Sequence, residues 1–428
     1  MTSTLLSRPV EPAVRRGNAM DRRVARDLLV HVEPAHPDHT NEDIAARFAA
    51  DRSLQNLPVT FGRRPMGLIN RSLFHNMMAK PFYPELYSRQ SCIAFMDKSP
   101  LVADAGLAIH QLTALAIQAG EKVFADGFIL VEDGDYVGVG QMLDLMQAMT
   151  ELQERQHRQL RESIDYASIL QASLLKPSCQ ALKDALPEQH WLCWRPRDVV
   201  GGDFYHFLPL SDGFLLGLFD CTGHGVPGAF MTLIAVAALE RALAEQGTDD
   251  PAALLQAMNR RIKQSLNQQG DCDCNTRRLE DSDDGLDGAI LRFYASSHQV
   301  CYAGAHMPLF RVTPAAEPSC EQIKGDRAGV GYTGTHWDQE WRNQTLECQP
   351  GERLYLVSDG VIDQIGGDKR IAFGKKRLRQ CLLETRQLTL PEQGRALEKA
   401  LDDYRGEEPP RDDITLIALA LPDGSHSL

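Results

Sequence analysis

Phe214-Leu215-Leu216-Gly217-Leu218-Phe219-Asp220-Cys221-Thr222-Gly223-His224-Gly225-Val226-Pro227-Gly228 is the stretch that decides the fold. The run Phe214–Phe219 reads as a strand, Asp220 closes it, and a glycine-rich turn leads to Pro227 at a helix start. Three further places repeat the pattern of an acid beside an apolar run. They are Asp203 in Val200-Gly201-Gly202-Asp203-Phe204, Asp359 after Leu354-Tyr355-Leu356-Val357-Ser358, and Asp412-Asp413 before Ile414-Thr415-Leu416-Ile417. Carboxylates converging from strand ends make a hard oxygen site suited to Mg²⁺ or Mn²⁺. A single acid at a strand end just as often starts a turn. Four such places, with Gly201, Gly202, Gly223, Gly225, Gly228 and Gly360 beside them, favour a shared site.

Four motifs carry a resemblance: Arg197-Asp198-Val199-Val200-Gly201-Gly202-Asp203-Phe204, Asp220 through Gly228, Ser358-Asp359-Gly360-Val361, and Arg411-Asp412-Asp413-Ile414-Thr415. In order and spacing they resemble the motif series of bacterial PP2C-type serine/threonine phosphatases, in the sporulation-stage-II-E and sigma-regulator subgroup. The likeness covers about residues 160–421 and extends to the members that govern biofilm formation. It implies an α+β fold whose C-terminal part is an αββα sandwich of two antiparallel sheets. It also implies two Mn²⁺ or Mg²⁺ ions and a phosphorylated regulatory protein, of the anti-sigma-antagonist kind, as substrate.

At 428 residues two or three domains are expected, and 43% hydrophobic residues permit a substantial core. A net charge of −13, from 45 basic and 58 acidic residues, argues against a nucleic-acid binder and against adhesion to an anionic membrane. Ten cysteines without short regular spacing read as reduced thiols. Arg15, Arg16, Arg22 and Arg23 have no apolar core behind them, and no run approaches the length of a spanning helix, so a cytoplasmic protein is expected.

Residues 1–20 read as a flexible tail and 423–428 as another. Between them, Val59–Leu73 resembles Leu130–Leu143: each is strand, turn, strand and helix start, preceded by a helical stretch at Thr40–Phe48 or Ala108–Ile117. This doubled unit, residues 21–140, resembles a divergent tandem cystathionine-β-synthase (CBS) regulatory module, α/β in class. The resemblance implies an adenine nucleotide as its ligand, for which Asp104 is the one weak contact. Residues 141–176 then read as a connecting helix. Met142, Leu145, Met149 and Leu152 stand at a/d spacing, and Leu160, Ile164, Ala167, Leu170 and Leu174 resume the stripe. Packing on its own domain and a homodimer seam both fit that stripe, and the seam is slightly favoured.

Residues 177–422 form the third part. Strands are expected at His190–Trp194, Asp203–Phe207, Phe214–Phe219, Ala289–Tyr294, Gln299–Tyr302, Leu309–Val312, Gln344–Glu347, Arg353–Val357 and Ile414–Leu421, with Leu208–Gly213 as a turn. Helices are expected at Val226–Glu245, Ala252–Asn267, Lys375–Glu384 and Gln393–Tyr404. Gln268–Gly285 reads as an exposed acidic loop in which Cys272 and Cys274 have the wrong spacing for zinc.

Two ions close together need a bridging carboxylate, and Asp220, before the tight turn, is the choice. The resemblance assigns Asp359 and Asp412 to one ion and the Cys221 carbonyl to the other, with Asp203 a direct or water-mediated ligand. Asp413 reads as a loop brace. With a metal-activated water no cysteine nucleophile is needed, so Cys221 reads as structural. His224 is a candidate proton donor, weighed against a role as loop brace. Arg197 and His306 are candidates for the substrate edge, and Arg195 and Arg197 for gripping the phosphate. The competing function is a catalytically silent phosphoprotein-binding scaffold, which the loss of a metal acid would favour; none is lost.

Overall fold

The computed structural model describes residues 23–268, 283–314 and 319–422. Both expected tails and most of the Gln268–Gly285 loop, with Cys272 and Cys274, lie outside the described residues. The chain divides into two compact units, Met1–Gln159 and Leu160–Leu428.

In the first unit, α1 (Asn41–Ala50) is opened by a capping box. The Thr40 hydroxyl accepts from the Asp43 N–H, and the Asp43 carboxylate accepts from the Thr40 N–H. β1 (Asn56–Phe61) and β2 (Arg64–Asn70) form a hairpin, followed by α2 (Arg71–Met78) and the short α3 (Tyr83–Tyr87). β3 (Leu101–Asp104), α4 (Ile109–Ala119) and α5 (Glu121–Asp126) precede a second hairpin, β4 (Phe128–Glu132) with β5 (Asp135–Gly140). The expected strand-turn-strand-helix repeat is present in both places. The two hairpins break register at equivalent steps, Val59/Thr60 and Leu130/Val131, opposite Gly67 and Gly138. β3 lies parallel to β4, and Ala35 makes the corresponding parallel bridge to Val59.

α6 (Met142–Ala185) follows β5. Met142, Leu145 and Ala148 bury into the first unit's own core with Leu112, Phe128 and Leu130, and Met149 packs partly against it. This corrects the expected dimer seam through Leu145: that face is already covered by its own unit. Leu143 and Met146 are the large apolar side chains left exposed on this half. The helix also runs past the expected end, with Pro177 inside it. Proline removes one helical hydrogen bond, but Leu175 and Leu182, and Leu186 just past the helix end, bury into the second unit's core and hold that turn in place.

The second unit begins with β6 (His190–Arg195), β7 (Asp203–Leu210) and β8 (Gly213–Cys221). The β7–β8 turn is tighter than expected, because both strands extend to leave only Ser211-Asp212 between them. Two helices follow, α7 (Gly225–Gln246) and α8 (Pro251–Ser265), then β9 (Leu286–Tyr294), β10 (Gln299–Ala305), β11 (Leu309–Val312), β12 (Cys320–Ile323), β13 (Gln344–Glu347) and β14 (Arg353–Val357). The chain closes with α9 (Asp359–Asp363), a small hairpin of β15 (Ile365–Gly366) and β16 (Ile371–Ala372), α10 (Gly374–Glu384), α11 (Leu390–Arg405) and β17 (Ile414–Ala420).

The strands form two five-stranded antiparallel sheets, ordered β13-β10-β9-β8-β7 and β12-β11-β14-β17-β6. Alternation sorts their side chains into layers. Leu354, Leu356, Ile417 and Leu419 join the core shared with the first sheet, while Tyr355, Val357, Leu416 and Ala418 face Leu378, Leu382, Leu397 and Leu401 of α10 and α11. α7 and α8 cover the other sheet, completing the αββα order. α7 is long and apolar enough to cross a membrane by length and composition alone. Met231, Ala235, Ala238, Leu239 and Ala242 bury into the core, and Val226, Phe230 and Leu233 are exposed.

Candidate metal centre

Strand register builds the site. Asp203 of β7 lies directly opposite Asp220 of β8, and Asp220 lies opposite Asp287 of β9. Directly paired residues share a sheet face, so three carboxylates form a row across adjacent strands. The second sheet brings Asp359, at the start of α9, whose N–H faces the Asp220 carboxylate at 3.4 Å. Asp412 and Asp413 precede β17, and the Asp413 N–H donates to Asp412 Oδ1 at 2.9 Å.

Asp413 ties down the loop before β7. Its Oδ1 accepts from the Arg197 N–H at 2.6 Å and its Oδ2 from the Gly202 N–H at 2.5 Å. Gly202 has no room for a side chain, since a Cβ there would lie 2.7 Å from the carbonyl oxygens of Cys221 and Gly223. Gly360 is as constrained: its Cβ would lie 2.0 Å from the Asp413 carbonyl oxygen. The loop is held from below by Thr232, whose hydroxyl donates to the Gly202 carbonyl at 3.0 Å. Gln171 of α6, buried at 5% exposure, donates to the Gly201 carbonyl at 2.6 Å and accepts from its N–H at 3.2 Å.

The electrostatics are one-sided. Burial, then repulsion from Asp413 and Asp412, holds the Asp203 carboxyl well above its ordinary range. Burial and the neighbours Asp203, Asp359 and Asp412 do the same to Asp220. Asp359 is pushed up to about 6 by burial and by Asp412, Asp363 and Asp287. The principal charges bearing on these three are all negative, an arrangement that a divalent cation relieves. Asp203 Oδ2 accepts from the buried Thr415 hydroxyl at 2.6 Å, while its Oδ1 is buried without a protein partner. An orphaned carboxylate oxygen in an acidic row fits a hard cation. Among the described residues no three His, Cys, Asp or Glu side chains stand close enough together to hold an ion as they are placed.

Cys221 is buried, and burial holds its thiol far above the ordinary range, so it is no nucleophile. His224 caps α7 and its Nδ1 faces Asp198 at 2.8 Å, with both side chains roughly half exposed. The Arg195 guanidinium grips Asp402 of α11 at 2.9 and 3.1 Å, which corrects its reading as a phosphate-gripping group. Arg197 is exposed and donates to the Arg411 carbonyl at 3.2 Å. His306, at a left-handed φ of 58°, contacts Asp287 at 2.9 Å and the Arg327 carbonyl at 2.7 Å. A cleft is lined by Asp220, Asp287, His306, Asp359, Asp363 and Lys375.

Sequence reasoning missed Asp287, Thr415, Gln171, Asp198 and Lys375. Asp287 carried the right signal, an acid at the start of an apolar run, but the strand was begun three residues too late, at Ala289 instead of Leu286. Thr415 was quoted in its motif and read only as a strand residue. Gln171, one polar residue on a largely exposed helix, gave no signal.

The family model for stage II sporulation protein E (SpoIIE) matches residues 211–422. The SiaA PP2C domain of Pseudomonas aeruginosa is 34% identical, over 62% of this chain and 98% of that one, with a TM-score of 0.54. The RsbU and RsbW domains of a Mycobacterium tuberculosis protein are 18% identical over 55% and 60% of the two chains, with a TM-score of 0.41. The PP2C domain and a regulatory fragment of SpoIIE from Bacillus subtilis are 15% identical over 54% and 63%, with a TM-score of 0.42. With a third of the aligned residues identical across nearly the whole SiaA domain, this chain belongs to the SpoIIE-type family of PP2C serine/threonine phosphatases.

Proposed function

We propose that the second unit removes phosphate from phosphoserine or phosphothreonine on a small regulatory protein in the cytoplasm, using two Mn²⁺ or Mg²⁺ ions. The observation that carries this is the row Asp203–Asp220 closed by Asp359. In this reading Asp220 would be shared by the two ions, with Asp359 and Asp412 holding one and the Cys221 carbonyl and Asp203 holding the other. When bound, the ions supply an activated water and neutralise the phosphoryl oxygens. The chain's own groups do the positioning. Thr415 fixes the Asp203 carboxylate, Asp413 and Gln171 fix the loop on which it stands, and Gly202 and Gly360 let backbone close over the site. His224, with Nδ1 facing Asp198, keeps Nε2 for the leaving oxygen.

The first unit is the regulatory part in this reading. Its duplicated topology, with equivalent bulges in both hairpins, supports a CBS-type pair; an adenine nucleotide as its ligand rests on the resemblance alone. The homodimer reading is carried by the exposed side chains of α6, Leu143 and Met146 in one unit and Leu160, Tyr166, Ile169 and Leu170 in the other. The test is Mn²⁺-dependent phosphate release from a phosphoserine peptide. Asp220→Ala and Asp359→Ala are each expected to abolish it in a protein whose circular dichroism is unchanged. Turnover at the wild-type level in either variant at saturating Mn²⁺ would reject the site.

A further inference from the structure

Three clefts of the second unit join through shared walls. The cleft at Asp220, Asp359 and Lys375 shares Asp287 and His306 with a second, lined also by Asp283, Arg327, Tyr332 and Gln339. The second shares Arg327 with a third, formed by Lys324, Asp326, Arg342, Asn343 and Gln344. The result is a trough from the carboxylate row to the place where the edge strands β12 and β13 approach each other. Gln344 opens β13 and its side chain donates to the carbonyl of Lys324, just past β12, at 2.8 Å.

The charges along the trough are unevenly matched. Beyond His306 each acid among the described lining residues already has a protein partner. Asp326 holds the Arg342 guanidinium and its N–H. Asp283 accepts from the Thr333 N–H and hydroxyl at 2.7 Å each, and Asp287 contacts His306. Arg327 and Lys324 are exposed, and among the described residues neither side chain has an ion pair or hydrogen bond. Arg327 is held by its backbone instead, because its carbonyl meets His306 Nε2 at 2.7 Å. Two unpaired cations therefore stand on a fixed ledge, in a protein whose net charge is −13.

We propose that this trough is the substrate-docking groove, and that Arg327 and Lys324 select a phosphoprotein with carboxylates flanking the phosphorylated residue. The inference rests on the phosphatase reading of the carboxylate row and adds its specificity. The phosphate enters at Asp220 and Asp359, the chain runs past His306, and acidic side chains meet Arg327 and then Lys324. An exposed charge pair is modest in strength, so the selection comes from two of them acting together and weakens with salt.

The test compares kcat/KM on two phosphoserine peptides, one with flanking Asp and Glu and one with Ser and Ala in their place. The wild type is expected to favour the acidic peptide by about tenfold at low salt. Arg327→Ala with Lys324→Ala is expected to bring that ratio close to one, and Arg327→Glu to turn it toward a Lys-flanked peptide. Turnover of p-nitrophenyl phosphate, which reaches only the carboxylate end, reports whether each variant is assembled. If Arg327→Glu is inactive on it, Lys324→Glu takes its place. An assembled charge-reversed variant that keeps the wild-type ratio overturns the proposal. Anisotropy of the labelled acidic peptide reads docking without hydrolysis. A wild type that binds it in a salt- and Arg327-dependent way but releases no phosphate at any Mn²⁺ concentration refutes the phosphatase reading and keeps the groove. Equal binding of both peptides refutes the groove.

Discussion

Thr415→Val is the sharpest probe of how the centre is held. Thr415 is fully buried and its hydroxyl donates to Asp203 Oδ2 at 2.6 Å, the contact that orients that carboxylate. Valine keeps the shape and removes the donor. A hydrogen bond to a charged acceptor contributes about 1.5–3 kcal/mol, and each 1.4 kcal/mol is about tenfold in an equilibrium constant. Burial and the neighbouring acids disfavour the Asp203 anion and a cation offsets them, so the loss falls mainly on the metal-loaded state. Mn²⁺ affinity should therefore drop roughly 10- to 100-fold, the size usual for a lost outer partner of a ligand. The readout is the Mn²⁺ concentration that half-activates p-nitrophenyl phosphate turnover, checked by calorimetry of Mn²⁺ binding. Most of kcat should return at saturating Mn²⁺, and Thr415→Ser should restore the wild-type midpoint. A Thr415→Val protein with an unshifted Mn²⁺ midpoint would show that Asp203 is not a ligand or needs no orienting.

Other tests act on different parts of the molecule. The carboxyls of Asp203, Asp220 and Asp359 sit above their ordinary range, Asp359 at about 6, so the metal-free fold binds protons more tightly than the unfolded chain does. The stability from Asp359 is full below about pH 4 and is lost as pH rises through about 6, and that from Asp203 and Asp220 is lost in the same direction as pH rises through their raised values; the Mn²⁺-induced rise in Tm should be larger near pH 7.5 than near 4.5, and an equal rise at both would contradict this. Gln171→Ala leaves the buried Gly201 N–H without a partner and its carbonyl with only the longer 3.4 Å contact from the Thr232 hydroxyl, at about 1–3 kcal/mol, and should lower both kcat and Tm; unchanged turnover would show that α6 does not set the loop. Leu145→Asp should unfold the first unit, since Leu/Ile/Met→Ala in a core already costs about 2–5 kcal/mol and the carboxylate adds to it; a folded monomer by sedimentation would restore Leu145 to a dimer seam. Tyr166→Glu with Ile169→Glu should dissociate the proposed dimer without lowering Tm, and a wild type that sediments as a monomer would end that reading.

The C-terminal sandwich was legible because its strands alternate and its acids stand in turns rich in glycine. Every expected strand there was found, with ends off by a few residues, while β12 and the β15–β16 hairpin are too short to show a period. The site was legible as a set of acids but not as a geometry. Nothing in the sequence says that Asp203, Asp220 and Asp287 fall opposite one another, because register is set by three strands together. The helix α6 shows a different limit. Its apolar stripe was visible, yet a stripe does not say what covers it, and Leu145 turned out to face its own unit. Pro177 misled because local propensity was outweighed by the burial of Leu175 and Leu182.

The cross-strand row makes the centre a readout of alignment. Side chains alternate along β8, so a slip of one residue against β7 and β9 would carry Asp220 to the opposite face and disperse the row. The far end of the same hairpin is pinned: Arg292 of β9, 1% exposed, reaches back to Asp212 in the turn. From that anchor the β7–β8 pairing runs from Leu210 with Gly213 to Asp203 with Asp220. A single surface turn, remote from the chemistry, thus indexes which residues arrive at it. If the row takes the proposed ions, their capture would act as proofreading, because a misaligned sheet would have no partner for the cation and would gain nothing from its presence.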